Sequence, residues 1–242
     1  MLARLRTFLS VLGDNLVWRH LGGTEYANVG DLLERVEQEA PDLVVTYRHL
    51  QSNAWHWPHG LGEYLDVLSH VTKVPILILP HPEADNALPH TMSDTDTVMA
   101  ITNHLTADAR LVDYALQFTA PSGTCWLTHI ESQRQFDHFV SAVEKISEIE
   151  TDDVRLLVEE QLLKEPRDYI ESCRREIEAR GVSVVIEAIV EMGDRVADYR
   201  RLIEDHRCDL LVLNTWEGGQ PGMQGQSYLL AVELRNIPLL LL

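Results

Sequence analysis

The sequence predicts an α/β fold, a doubly wound parallel sheet with helices on both faces. Three observations predict it. Apolar runs such as DLVVTY, PILIL and TVMAIT alternate along the chain with segments of helical periodicity. The runs are continuous rather than alternating in polarity, as expected for strands buried on both faces. The chain also repeats itself: Val29, Asp31, Val36, Glu37, Asp42 and Leu43 recur as Val196, Asp198, Ile203, Glu204, Asp209 and Leu210, a constant offset of 167. Gly62 and Pro75 are 13 apart, as are Gly225 and Pro238, and both pairs bracket a helix that leads into an apolar strand, PILIL or PLLLL.

The elements follow in order. Asn15–Leu21 (NLVWRHL) reads as a strand. Ala27–Glu39 places Val29, Leu32, Leu33 and Val36 on one helical face. Asp42–Tyr47 is a strand, followed by a loop rich in Trp and His, a helix over Glu63–Val71 and a strand over Pro75–Leu79. Residues 81–96, with Pro82 and Pro89, read as a linker. A second cycle opens with strand Thr97–Thr102 and a helix that Thr106 can cap, with Ala107, Leu111, Tyr114, Ala115 and Phe118 on its face. Gly123–Ile130 is the next strand. Residues 133–180 are mostly helical and acidic; Pro166 is expected to open a new helix there and Gly181 to stop it. Val182–Ile189, a helix from Asp194, Asp209–Leu213, a helix from Ser227 and Pro238–Leu242 complete the cycle. The organisation expected is a partial domain over 1–80, a linker over 81–96 and a complete domain over 97–242.

Composition narrows the function. Lys plus Arg is 20 and Asp plus Glu is 38 in 242 residues, a net charge of −18. A nucleic-acid groove or an anionic membrane surface needs clustered positive charge, so neither partner is expected. No apolar run reaches the roughly 18 residues that span a bilayer. Residues 1–12 lack a signal-peptide core and cleavage site, so a cytoplasmic location is expected. Cys125, Cys173 and Cys208 form no CxxC and no zinc spacing, and read as small buried apolar side chains.

At this point the chain resembles the universal stress protein family in its tandem-domain form. Residues 97–242 resemble a complete domain through the strand VMAIT, the helix LVDYAL, Leu127-Thr128-His129, the unit MGDRVADYRRLIEDHRCDLLVLNT and the ending SYLLAVELRNIPLLLL. Residues 1–80 resemble only the rear of such a domain. The resemblance implies the strand order 3-2-1-4-5 in the second half and pairing of domains, within the chain or as a homodimer. It also implies, for some members, ATP held by a G-x2-G-x9-G-S/T loop after the fourth strand. Such glycines let the backbone approach phosphates while a helix N-terminus aims unpaired amides at them.

The sequence departs from that loop. After the fourth strand it reads NTWEGGQPGMQGQS, with Gly222 and Gly225 at G-x2-G spacing but no Gly-Ser at the required distance. Asn214 stands where the first glycine is expected, Glu217 adds a negative charge, and Asn103 replaces the family's Asp at the end of the first strand. If a nucleotide binds, the residues assigned are Asn103, His104, Asn214, Thr215, Gly222, Gly225 and Ser227. The first-half loop, His49 to Gly62, has no phosphate cradle.

Seven of the eleven histidines lie between His49 and His104. Closely spaced neutral imidazoles bind zinc or nickel, so His49, His56 and His59 are candidate ligands, although an HxxH spacing has low specificity and no Cys or HExxH accompanies it. His129 reads as a satisfied core histidine. No G-x-S-x-G elbow is present, and Ser122 and Ser227 have no base nearby in sequence, so no catalytic residue is assigned. The expectation is a non-catalytic stress-response protein, without a required cofactor, acting through ligand binding or protein association. The alternatives are an ATP-binding switch or slow ATPase using the second-half crevice, and a His-rich metal-binding protein.

Two structural expectations complete the reading. The apolar strands Pro75–Leu79 and Pro238–Leu242 would both be sheet edges, which are aggregation hazards, and should cover each other. The first half, lacking front strands, should form a shortened sheet in which Asn15–Leu21 and Asp42–Tyr47 pair directly, with dimer support.

Overall fold

A computed structural model describes residues 2–57, 59–84, 86–101, 109–143, 145, 151–215 and 225–242. The helices are α1 (Leu2–Phe8), α2 (Val29–Glu39), α3 (Glu63–Val71), α4 (Ala109–Phe118), α5 (Gln133–Val143), α6 (Thr151–Ala179), α7 (Arg195–Asp205) and α8 (Gly225–Glu233). The strands are β1 (Val44–Tyr47), β2 (Ile76–Leu79), β3 (Thr97–Ile101), β4 (Thr124–Ser132), β5 (Val185–Gly193), β6 (Leu210–Leu213) and β7 (Leu239–Leu241).

The strands form one sheet of seven in the order β1-β2-β7-β6-β3-β4-β5. Read from β5 to β7, the last five strands have the expected order 3-2-1-4-5. All neighbours are parallel except β2 and β7, which run antiparallel with Ile76 opposite Leu241, Leu77 opposite Leu240 and Ile78 opposite Leu239. The two apolar closing strands therefore occupy the middle of one mixed sheet, where neither leaves a bare edge.

Side-chain alternation along the strands divides the core in two. Ile76, Ile78, Met99, Ile101, Leu211, Leu239 and Leu241 face α2, α3, α7 and α8. Leu77, Leu79, Val98, Ala100, Leu210, Val212 and Leu240 face α1, α4 and α6. Each such side chain fully buried contributes about 1.5–3 kcal/mol relative to exposure. Helix starts follow their caps: Asn28 accepts the Asp31 amide at α2, and Asp194 accepts the Ala197 amide at α7. The helix expected from Thr106 begins, among the described residues, at Ala109, and Thr106 itself lies outside them.

Three expectations are corrected. Asn15–Leu21 is not a strand. Trp18 packs into the core on the α1 face, whereas Leu21 packs into the core on the α2 face. Arg19 pairs with Glu25 at 3.1 Å and with Glu39 of α2 at 3.2 Å. The segment thus wraps around the β1 edge from one face to the other, crossing the ladder instead of extending it, and β1 pairs with β2 alone. Val17, 99% exposed, marks the outside of the wrap.

The described residues of 133–180 form the helices α5 and α6, and Pro166 opens neither, since it lies inside the continuous α6. Pro166 is buried on the same stripe as Leu163 and Ile170, so packing against the sheet outweighs the backbone hydrogen bond it removes. Residues 81–96 are not a loose connection. Leu88 N–H donates to the Asn236 carbonyl and His90 Nε2 to the Cys208 carbonyl, both at 2.9 Å, while Thr91 and Thr95 are buried.

The first residues also have a role that periodicity left unread. Leu5, Phe8 and Leu9 are buried against the sheet in the same core as α4 and α6. Among the described residues no helix is long and apolar enough to cross a membrane.

Candidate functional site

The strand order reverses between β3 and β6, and the crevice beyond their carboxyl ends is where open α/β sheets bind ligands. Asn214 and Thr215 leave β6 there, and α8 begins at Gly225. Asn103, His104 and Gly222 lie outside the described residues, so the structure places Asn214, Thr215, Gly225 and Ser227 of the seven candidates.

Thr215 is 4% exposed. Its backbone N–H donates to the Leu242 carbonyl at 2.9 Å, and its hydroxyl donates to the same oxygen. Leu242 N–H in turn donates to the Leu213 carbonyl at 3.0 Å. The threonine therefore extends the β6–β7 ladder by one residue. Ser227, 2% exposed, is buried in the first turn of α8. Asn214 is half-buried.

At the carboxyl end of β4 the structure assembles a group that sequence reasoning missed. His129 Nε2 donates to Glu131 Oε2 at 3.1 Å, and Arg195 Nη2 lies 3.5 Å from Glu131 Oε1. The His129 hydrogen bond, ahead of the other contacts, holds the Glu131 carboxyl below its ordinary range. The Tyr199 phenol, fully buried below this group, is hydrogen-bonded to the Ile130 backbone, and burial pushes its pKa up. The signal was the i, i+2 spacing of His129 and Glu131, which puts both on one face of a strand. His129 is buried, as read. Both carboxylate oxygens of Glu131 are engaged, so this group braces the strand end rather than presenting a free base.

The candidate metal ligands lie at the opposite end of the sheet, since β1 and β2 run antiparallel to the other strands. His49 is buried, His56 Nδ1 donates to the Asn53 carbonyl at 3.0 Å, and His59 is exposed. Among the described residues no group of three or more His, Cys, Asp or Glu side chains could hold a metal ion. The three cysteines are free thiols, and burial pushes Cys125 and Cys208 up to about 12.

A buried arginine in the same region was not anticipated. Arg48 is 2% exposed, and its guanidinium donates to the Ala231 carbonyl and, at 2.8 Å, to the Leu234 carbonyl at the end of α8. Burial, with Arg235 nearby, lowers its pKa to about 9. Tyr228 of α8 donates to Asp66 of α3 at 3.2 Å. Residues before β2 thus brace α8 at its middle and its C-terminus.

No family model and no curated protein matches the chain. Its structural neighbours include a functionally unknown protein from Pseudomonas aeruginosa PAO1, with 13% identity over 90% of this chain and 68% of that one, at a TM-score of 0.48. A universal stress protein from Archaeoglobus fulgidus DSM 4304 is 14% identical over 87% of this chain and 64% of that one, at a TM-score of 0.48. The hypothetical protein MJ0577 is 16% identical over 61% of this chain and 96% of its own length, at a TM-score of 0.46. The chain thus spans about two thirds of the length of the first two.

Proposed function

We propose that this chain is a non-catalytic stress-response protein of the cytoplasm that acts through ligand binding or protein association. The observation that carries this reading is the bonding of Thr215. Its hydroxyl and its amide are both committed to the Leu242 carbonyl, so neither is left to hold a phosphate. The sequence supports the same reading: the phosphate loop lacks its Gly-Ser, and Glu217 adds a negative charge. The organisation proposed with it is a partial domain over 1–80 joined to a complete one over 97–242, associating within the chain or as a homodimer.

The second reading, an ATP-binding switch or slow ATPase, draws on the start of α8 beside the reversal of strand order, where helix amides attract anions. Titration calorimetry and thermal unfolding with ATP-Mg separate the two. A ligand at about 100 times its dissociation constant adds about 2.7 kcal/mol of stability. Little heat and little shift at millimolar ATP support the first reading. A clear shift with release of inorganic phosphate replaces it with the ATPase, and a shift without release replaces it with the switch.

A further inference from the structure

The turn that leaves β1 is built on imidazoles and aromatic rings. Ser52 caps a single 3-10 turn, Asn53–His56, its hydroxyl accepting the Ala54 amide at 3.0 Å. The Trp55 ring on this turn stacks on His56, with centroids 3.7 Å apart and planes 28° apart. It also stacks on His81, which follows β2, at 5.0 Å and 15°. Tyr47, the last residue of β1, meets His81 edge-on at 5.3 Å and 82°. The stack therefore ties the ends of two neighbouring strands to the turn between them.

His49 anchors the base of the same turn. It is 4% exposed, its backbone is left-handed at φ 53°, and its amide donates to the Leu61 carbonyl at 2.8 Å. Among the described residues its buried Nδ1 has no hydrogen-bond partner. We propose that this cluster is an acid-opened latch, which holds the turn from Arg48 to Trp57 against the strand ends while His49 and His81 are neutral and releases it when they take protons.

The charges around the two rings set the direction. His49 faces Arg48 on its own strand end, Arg235 beyond α8 and His81 beyond β2; on the acidic side, among the described residues, it faces only Asp66 of α3, which already accepts from Tyr228. His81 faces His56 on the turn and, against it, Glu83 on its own segment. A proton on His49 would sit next to the buried Arg48 guanidinium with no carboxylate of its own, a costly placement at low dielectric. Burial, before any charge, already holds both imidazoles below their ordinary range. An opened turn returns them to water, where they titrate near the ordinary value of about 6.5. Acidification through that value therefore favours the open form, and above it the closed form is insensitive to pH.

Hydrogen exchange on the full chain at about pH 7.5 and about pH 5.5, expressed as protection so that intrinsic rates cancel, tests the latch. The amides of His49, Ser52 and Trp57, bonded to the carbonyls of Leu61, His49 and Ala54, should lose protection several-fold at the lower pH. Those of β3 and β6 should not. His81→Phe with His49→Gln keeps a ring in the stack and an amide in place of His49 but removes both titrating groups, so the loss should vanish. Unchanged protection in the native chain, or an acid loss that survives in the double variant, overturns the proposal. Imidazole titration of the native chain by NMR is independent of whether the variant folds. His49 and His81 titrating at ordinary values would equally overturn the latch.

Discussion

The strand pairs β1–β2 and β6–β7 are built to the same register and end differently. Val44 N–H donates to the Pro75 carbonyl and Leu211 N–H to the Pro238 carbonyl, at 2.9 and 3.1 Å. Four residues on, Arg48 N–H donates to the Leu79 carbonyl and Thr215 N–H to the Leu242 carbonyl. The backbone repeats with the same offsets as the sequence. The side chains do not. Thr215 closes onto its own strand pair, whereas Arg48 reaches out to two carbonyls at the end of α8. The first pair has become a brace for an element of the second.

Arg48→Ala should therefore give the largest effect of any change in this comparison. It leaves two helix-end carbonyls without donors and a void beside α8, and should cost about 3 kcal/mol. The position matched to it, Thr215, should cost far less. Urea unfolding of the two variants measures the difference. Equal costs would mean that Arg48 is no brace.

The second contrast is between two glycines. Gly62 has φ 100°, and a Cβ there would lie 2.7 Å from the His49 Cα, so neither conformation nor space admits a side chain. Gly181 has φ 67° with nothing within 4 Å of a Cβ, so only its backbone conformation resists. Gly62→Ala should cost about 2–3 kcal/mol and Gly181→Ala about 1 kcal/mol. A reversed order would mean that the turn after β1 yields easily.

The strands were legible because burial on both faces writes itself as continuous apolar runs, and Asp42–Tyr47, Pro75–Leu79 and Thr97–Thr102 each contain an observed strand. The strand order came from the resemblance rather than from any run. Asn15–Leu21 has the residues of a strand but crosses an edge, and edge crossing leaves no periodicity. Pro166 was misread because proline favours the first turn of a helix, while the stripe from Leu163 to Ile177 continues through it. Arg48 gave no sign, since its partners lie more than 180 residues away along the chain. Glu131 and Arg195 meet only when β4 and the start of α7 come together. Thr215 was singled out from its place after the strand Asp209–Leu213, but which oxygen its hydroxyl would choose depends on where the chain's last strand ends.

Thr215→Val sharpens the comparison at its second member. The variant keeps the shape and loses one hydroxyl donor to the Leu242 carbonyl, whose amide donor remains. A loss of about 1 kcal/mol in urea unfolding is expected. With ATP-Mg present the same difference should persist, because the hydroxyl is committed to the fold. A difference that grows with ATP would give Thr215 to a ligand instead.

The smallest effect lies where the repeat places the same acid in two settings. Asp42 and Asp209 both precede an apolar strand at the repeat offset of 167. Asp42 is exposed, because β1 has no strand on its outer side. Asp209 is 5% exposed: its amide donates to the Thr97 carbonyl at 2.8 Å, and its Oδ2 accepts the Thr97 amide at 2.9 Å. Burial, reinforced by Asp94 and Asp96, pushes the Asp209 carboxyl up to about 7 against the Thr97 hydrogen bond. A carboxyl raised on folding makes the unfolded chain the stronger acid. Between its ordinary value and about 7 the folded state therefore holds the extra proton, and stability falls as pH rises through that window. Asp209→Asn keeps an oxygen for the Thr97 amide and removes the titration. Its melting temperature should gain on the native chain's as pH rises from about 5 to about 8. Parallel melting curves for Asp209→Asn and the native chain across that range would mean that Asp209 ionises in the folded state as readily as in water. The link to β3 would then account for its burial but not for any difference in charge between the two halves.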